Sequence, residues 1–124
     1  MTHPEPSPAT RKFQKELNAG TVSFVLLGVL SHATEPLYGY QIAKQLETGS
    51  EDVTMMKQGA LYPVLRSLEK NGLLASRVEP SLSGPPRRYY EITETGREAF
   101  AQWTTIWHHN TRFVDAVLKG SYHV

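Results

Sequence analysis

The sequence contains no cysteine among its 124 residues. This absence excludes disulfide bonds, thiolate metal sites and cysteine nucleophiles, and it fits a reducing compartment. The first residues have neither a basic n-region nor an apolar h-region, so no signal peptide is predicted. The longest apolar run, residues 24–30, is interrupted by Gly28 and is far shorter than the ~20 residues that span a membrane. We therefore expect a soluble, cytoplasmic protein without a membrane partner.

Neither sign of charge dominates, since the chain has 13 basic and 12 acidic side chains. This balance excludes a histone-like blanket of positive charge. The distribution along the chain is nevertheless uneven. Residues 53–88 hold six basic and two acidic residues, whereas residues 1–52 hold four basic and six acidic ones. Because net charge averages over distinct surfaces, the sequence predicts a local basic face; the alternative is a solvated basic hairpin.

The sequence also lacks the residue sets that catalysis requires. It has no nucleophile beside a base, no glycine-rich phosphate loop and no paired carboxylates at useful spacing. The five histidines are scattered, and the adjacent His108 and His109 do not share a helix face. We therefore predict no catalytic residues, no metal site, no cofactor and no enzymatic activity.

Periodicity and chain breakers divide the sequence into elements. Prolines at positions 4, 6 and 8 predict a disordered arm over residues 1–11, with Thr10 as a candidate helix cap. Thr93 is a good cap for the last helix, and Gly72 suits the end of the third. A loop too long for a tight turn separates the two predicted strands. The predicted elements are helices over about residues 10–31, 38–48 and 57–71, strands over 73–79 and 87–92, and a helix over 94–119.

This order of elements predicts a mainly α fold of the α+β class, the winged helix-turn-helix with a long C-terminal dimerisation helix. After the arm, residues 12–93 form the predicted DNA-binding domain, whose first helix also joins the dimer interface. Residues 94–120 form the predicted dimerisation helix. An isolated hairpin is marginal in water, so the wing is expected to pack on the helices.

The third helix is the candidate DNA-recognition helix. Its apolar stripe consists of Leu61, Val64, Leu65 and Leu68. The residues between the stripe positions therefore face outward, and they are Gln58, Ala60, Tyr62, Pro63, Arg66 and Lys70. In a major groove, Gln58 would read adenine and Arg66 would contact phosphate or guanine. The alternative is an ordinary amphipathic helix with a solvated face.

Two adjacent arginines, Arg87 and Arg88, follow the Gly84-Pro85-Pro86 segment in the predicted hairpin. This position suits a wing tip that lies on phosphates, which supply affinity and salt dependence rather than sequence choice. Adjacent side chains of a strand point to opposite faces. Therefore only one of the two arginine side chains is expected to reach DNA.

The last predicted helix has a wide apolar face. One line along it has coiled-coil spacing and consists of Phe100, Trp103, Trp107, Asn110, Val114 and Val117. A second line consists of Ala99, Ile106 and Phe113. A domain this small cannot cover so wide a face, so we predict a homodimer. The predicted interface combines the first line with Phe13, Leu17 and Phe24 of the first helix.

Trp103 and Trp107 lie one helical turn apart and face the same way. Aromatic residues are enriched at protein interfaces, which favours their interpretation as ordinary interface anchors. The other interpretation is an aromatic wall for a flat, hydrophobic effector between two subunits.

Several short motifs occur together in a recognisable order. They are Tyr38-Gly39-Tyr40, Gly59-Ala60-Leu61-Tyr62-Pro63, Leu65 with Leu68-Glu69 and Gly72-Leu73, Arg87-Arg88-Tyr89-Tyr90, and Ile92-Thr93 with Gly96. As a set they resemble the PadR family of transcriptional regulators, over roughly residues 20–120. One departure is Lys57, where the family often has a serine or threonine cap. Either the third helix begins at Thr54 or this cap is lost.

The resemblance implies a dimeric repressor of the short PadR subfamily, with a single C-terminal helix and a pseudo-palindromic operator in double-stranded DNA. Family members release DNA when a small aromatic or hydrophobic effector binds, and some hold it against a tryptophan of the last helix. Trp107 is therefore the first effector-binding candidate and Trp103 the second. Tyr38 joins the predicted DNA-binding residues. The alternative function is a winged-helix protein-interaction module without specific DNA binding.

Overall fold

A computed structural model describes residues 5–48 and 58–121. Three helices precede a two-stranded wing and a long last helix, and this order confirms the predicted fold class. The elements are α1 Pro8–His32, β1 Leu37–Tyr38, α2 Gly39–Thr48, α3 Gln58–Lys70, β2 Leu74–Ser81, β3 Gly84–Ile92 and α4 Glu94–Lys119. None of the helices in the described ranges is long and apolar enough to cross a bilayer.

The first helix begins earlier than the sequence predicted. Ser7 is its N-cap, and the Ser7 hydroxyl oxygen accepts a hydrogen bond from the Thr10 backbone N–H at 3.2 Å. Thr10 is therefore not the cap, and residues 8–11 belong to α1 rather than to a disordered arm. Pro8 does not mark disorder: it occupies the first helical turn, where the missing N–H costs nothing. Residues 1–4 of the predicted arm lie outside the described residues.

The core lies where the C-terminal half of α1 meets the other helices and the sheet. Leu26, Leu27, Ile42, Leu61 and Leu65 are each 0% exposed. They explain the nearly all-round apolar character of α1 after Val22, because this half of the helix is covered on several sides. Most of α1 before Gly20 is instead exposed. The C-terminal half of α1 thus lies in the centre of the core, whereas its N-terminal half is an exposed helical segment.

The wing belongs to a three-stranded antiparallel sheet with the order β1-β3-β2. Strand β1 was not predicted; it takes Tyr38 out of the predicted second helix and pairs it with Tyr89. The predicted long loop over residues 80–86 is wrong. Strand β2 continues to Ser81 and β3 begins at Gly84, so only two residues connect them. A register shift between residues 79 and 81 takes up Pro80, since proline is tolerated at bulges.

Helix α4 is attached to the wing through its first turn. As predicted, Thr93 is the N-cap, and its hydroxyl oxygen accepts the Gly96 N–H at 2.9 Å while donating to the Gly72 carbonyl at 2.7 Å. Gly96 is buried so closely that a Cβ there would overlap the Leu73 carbonyl oxygen. Farther along, a Cβ on Gly28 of α1 would lie 3.3 Å from the Phe100 ring. These close approaches fix α4 against both the wing and α1.

Candidate nucleic-acid interface and apolar groove

Helix α3 presents the predicted outward residues to solvent. Ala60, Tyr62, Pro63, Arg66 and Lys70 are all exposed, whereas the leucines of the opposite stripe are buried. Pro63 is the sixth residue of α3, so it lies beyond the first turn and its missing N–H removes an internal hydrogen bond.

Two predicted features of the recognition helix lie outside the described part of the chain. Gln58 is the first residue of α3, but its side chain is not described, so its proposed contact with adenine stays a prediction. The alternatives for the helix cap, Lys57 or Thr54, also fall on residues that the structure does not describe.

Tyr62 connects α3, the candidate recognition helix, to the start of α2. It is 40% exposed, and its phenol ring lies directly against Gly39, where a Cβ would be 2.6 Å from the Tyr62 hydroxyl oxygen. Only glycine allows this approach without displacing the ring. The outward face of α3 therefore continues onto the segment that carries Tyr38.

The two wing arginines lie on opposite faces of β3, as predicted. The Arg87 guanidinium carbon is 4.5 Å from the centre of the Tyr38 ring. The Arg88 Nη1 donates to the Ser76 hydroxyl oxygen at 2.9 Å, and that hydroxyl donates to Glu69 Oε2 at 2.6 Å. Glu69 belongs to α3, so Ser76 links Arg88 of the wing to this candidate recognition helix. Both arginines are exposed.

A buried phenol marks the junction between α3 and the wing. Burial raises the pKa of Tyr90 above its ordinary value of 10.0; the guanidinium of Arg88 opposes this shift, Glu69 adds to it and Arg66 opposes it. Tyr90 is therefore neutral at physiological pH. Charged groups of both α3 and β3 act on this one phenol, so the two elements meet at Tyr90.

An apolar groove runs between α1 and α4, and residues of these two helices line it. Its volume is about 620 Å³, and its lining includes Leu17, Phe24, Trp103, Ile106, Trp107 and Val114. The Phe24 ring centre is 5.4 Å from that of Phe100 and 5.9 Å from that of Trp107. Trp107 is 41% exposed, whereas Trp103 is half-buried against the core. The structure thus brings both tryptophans to one groove but exposes Trp107 more.

Residues 26–102 match the family model described as the transcriptional regulator PadR-like family. This span covers more than half of the 124 residues. The chain belongs to the PadR-like family. The match confirms the resemblance found in the sequence and makes the chain a DNA-binding transcriptional regulator rather than an enzyme.

Solved structures of PadR regulators share this fold. A PadR family transcriptional regulator from Eggerthella lenta is 33% identical, with a TM-score of 0.70 and coverage of 87% of this chain and 90% of that chain. A PadR-like regulator from Bacillus cereus is 27% identical, with a TM-score of 0.67 and coverage of 83% and 96%. A PadR regulator from Clostridium difficile is also 27% identical, with a TM-score of 0.66 and coverage of 80% and 99%.

The residues predicted for the dimer interface of this PadR-like regulator fall into two groups. Phe13, Leu17, Trp107, Val114 and Val117 are between 41% and 63% exposed, and Asn110 is also exposed. Phe24, Phe100 and Trp103 instead pack between α1 and α4 of the same chain. The exposed apolar face also includes Ile106, Phe113 and Leu118, at 55%, 62% and 77%.

Sequence reasoning gave no role to two residues that lie beside Tyr38 in this PadR-like regulator. Tyr40 stacks on Tyr38, and the Lys44 ammonium group lies 5.8 Å from the centre of the Tyr40 ring. Their i, i+4 spacing on α2 could have indicated the second contact. The Ser76–Glu69 hydrogen bond carried no such signal, since the two residues meet only through the packing of β2 on α3.

Among the described residues, no cluster of histidine and carboxylate groups could hold a metal ion.

Proposed function

We propose that this PadR-like regulator is a homodimeric, ligand-responsive repressor that acts in the cytoplasm on a pseudo-palindromic operator. The observation that carries the proposal is the continuous exposed surface from Tyr62 and Arg66 on α3 to Arg87 on the wing. A recognition helix flanked by basic wing residues fits a major groove and its adjoining phosphates. The predicted contact residues are Tyr38, Gln58, Ala60, Tyr62, Pro63, Arg66, Lys70, Arg87 and Arg88.

The dimer part of the proposal rests on the exposed apolar residues of α1 and α4. Eight of them are at least 41% exposed in a single chain, namely Phe13, Leu17, Ile106, Trp107, Phe113, Val114, Val117 and Leu118. A contiguous apolar surface of this kind marks an interface. A two-fold dimer would present two copies of α3 to half-sites about one turn of DNA apart.

Arg66→Ala tests the assignment of the recognition helix. We expect operator binding to weaken by roughly ten- to a hundred-fold, because loss of one base or phosphate contact costs about 1–3 kcal/mol. The dimer should persist, since Arg66 is exposed on α3, away from the groove between α1 and α4. Fluorescence anisotropy with the DNA upstream of the gene measures the affinity, and shuffled DNA controls for specificity.

Arg112→Ala is the matched control, because it removes the same charge from an exposed position on α4. Its operator affinity should equal that of the wild type. If Arg66→Ala also binds as the wild type does, α3 is not the recognition helix. If the wild type itself prefers no DNA sequence, the winged-helix protein-interaction module becomes the better interpretation.

The effector part of the proposal rests on the groove between α1 and α4 and on the exposed ring of Trp107. Trp107→Ala should weaken binding of the aromatic sulfonate ANS by about ten-fold or more, because a stacked aromatic contact is lost. Trp107→Phe, which keeps an aromatic face, should retain most of the affinity. Fluorescence titration measures ANS binding, and operator affinity should change less. Unchanged ANS affinity with a weaker dimer would make Trp107 an ordinary interface anchor.

A further inference from the structure

Two cations and two aromatic rings form a continuous band beside α3, and all of its members are exposed except the half-buried Tyr38. We call this band the α2 strip, and it consists of Arg87, Tyr38, Tyr40 and Lys44. The Tyr38 and Tyr40 rings are stacked, with centres 6.4 Å apart and planes 19° apart. Arg87 lies over the Tyr38 ring at 4.5 Å, and Lys44 lies over the Tyr40 ring at 5.8 Å. The strip therefore has a cation at each end and rings between them.

Several contacts hold the strip in place. Tyr38 pairs with Tyr89 in the sheet, and their ring centres are 5.4 Å apart. The Tyr38 N–H donates to Gln41 Oε1 at 3.1 Å, which fixes the entry into α2. Gly39, between the two tyrosines, lies against Tyr62 of α3. The strip is thus joined to the outward face of the recognition helix.

Arg87 and Lys44, the two cations of the strip, differ in their partners from Arg77 and Arg88 of the wing. Arg77 forms an ion pair with Glu79 at 2.7 Å, and Arg88 is linked through Ser76 to Glu69. Among the carboxylates whose side chains the structure describes, a set that excludes Glu47, none lies within 4.0 Å of the charged groups of Arg87 or Lys44. An aromatic face holds a cation without neutralising it. Arg87 and Lys44 therefore keep their charge available to an external anion.

Two of the carboxylates whose side chains are described nevertheless lie near the strip. Glu79 is the cross-strand neighbour of Arg87, but it is already paired with Arg77. Glu35 lines the cleft of about 510 Å³ beside Tyr38, Tyr40 and Lys44, and it forms no ion pair with Lys44. Neither carboxylate cancels the charge of the strip.

We infer that the α2 strip is a second line of phosphate contacts, in which Lys44 and Arg87 bind the DNA backbone beside the groove that receives α3. The inference rests on the proposed operator binding and adds Lys44 and Tyr40 to it. In helix-turn-helix proteins, the helix before the recognition helix crosses the backbone. The stacked tyrosines position the two cations before DNA arrives, so little side-chain freedom is lost on binding.

A salt series tests this inference. Each neutralised phosphate contributes about 0.9 to the slope of log affinity against log salt concentration. Lys44→Ala should therefore lower the slope by roughly 1.8 for a dimer, and Arg87→Ala by a similar amount. Lys12→Ala is the matched control, because it removes the same charge from an exposed helical position where Lys12 is paired with Glu16. Its slope should equal that of the wild type.

Tyr40 variants test the positioning role of the rings. Tyr40→Phe keeps the stacked ring and should bind as the wild type does, whereas Tyr40→Leu should lose affinity several-fold. If Lys44→Ala and Lys12→Ala have the same slope while the wild type binds its operator specifically, the inference is overturned and the proposed function stands. If the wild type does not distinguish operator from shuffled DNA, the proposed function itself fails.

Discussion

Gly96→Ala should lower the free energy of unfolding by about 3 kcal/mol, the upper end of the usual cost of overpacking. A Cβ at this position overlaps the Leu73 carbonyl oxygen and lies 2.7 Å from Ile92 Cγ1. The Leu73 carbonyl is backbone and accepts the Thr93 N–H at 3.1 Å, so it cannot move aside without breaking that hydrogen bond. Relief of the overlap would therefore separate the first turn of α4 from the wing.

Thermal and urea unfolding measure this effect. A loss of 3 kcal/mol corresponds to a fall of roughly 10 °C in Tm for a domain of this size. Gly84→Ala is the matched control, because a Cβ there would be 3.9 Å from Ser81 Oγ, an ordinary contact. Its Tm should stay within a few degrees of the wild type. Equal Tm values for the two variants would contradict the close approach of Gly96 to Leu73.

The parts of the fold that sequence predicted correctly are those with local causes. Thr93 caps α4 because its side chain reaches an N–H only three residues away. Gly72 ends α3 with a φ of 80°, which glycine adopts without strain. The leucine stripe of α3 faces the core because helical periodicity places its members on one side. Each of these features can be inferred from a few neighbouring residues.

The errors concern features that depend on distant residues or on ambiguous composition. Strand β1 has two residues, too few for any periodicity, and it exists because residues 89–90 of β3 pair with it. The proline-rich stretch over 80–86 has loop composition, yet pairing with the partner strand extends both strands into it. Pro8 carried the same ambiguity, since proline is common both in disordered segments and at the first position of a helix.

In the candidate site too, the features that could be predicted have local causes, and those that could not depend on distant residues. Periodicity predicted the exposed face of α3 and the shared face of Trp103 and Trp107, because both depend on one helix. The position of Arg87 over Tyr38 depends on the register of two strands about fifty residues apart in sequence, so no local pattern indicated it. The alternate faces of Arg87 and Arg88 were predictable, but their different partners were not.

Val114→Asp should convert the proposed dimer to a monomer. Val114 is 50% exposed within one chain and lines the groove beside Leu17, so a folded monomer tolerates a charge there. In a dimer that covers this face, the carboxylate would be buried without a partner, which costs several kcal/mol. Operator affinity should fall at least a hundred-fold, since a monomer places only one α3 on the DNA. Sedimentation across a concentration series measures the oligomeric state.

Leu82→Asp is the matched control for this change. Leu82 is fully exposed in the two-residue connection of the wing, so the same loss of apolar surface and gain of charge occurs away from α1 and α4. This variant should sediment as the wild type does, and circular dichroism should find both variants folded. A wild type that is monomeric at micromolar concentration would contradict the dimer. A Val114→Asp variant that remains dimeric would place the interface on another face. Burial of an unpartnered carboxylate in the interface would destabilise the dimer, so an unchanged dimer means that residue 114 is not buried in it.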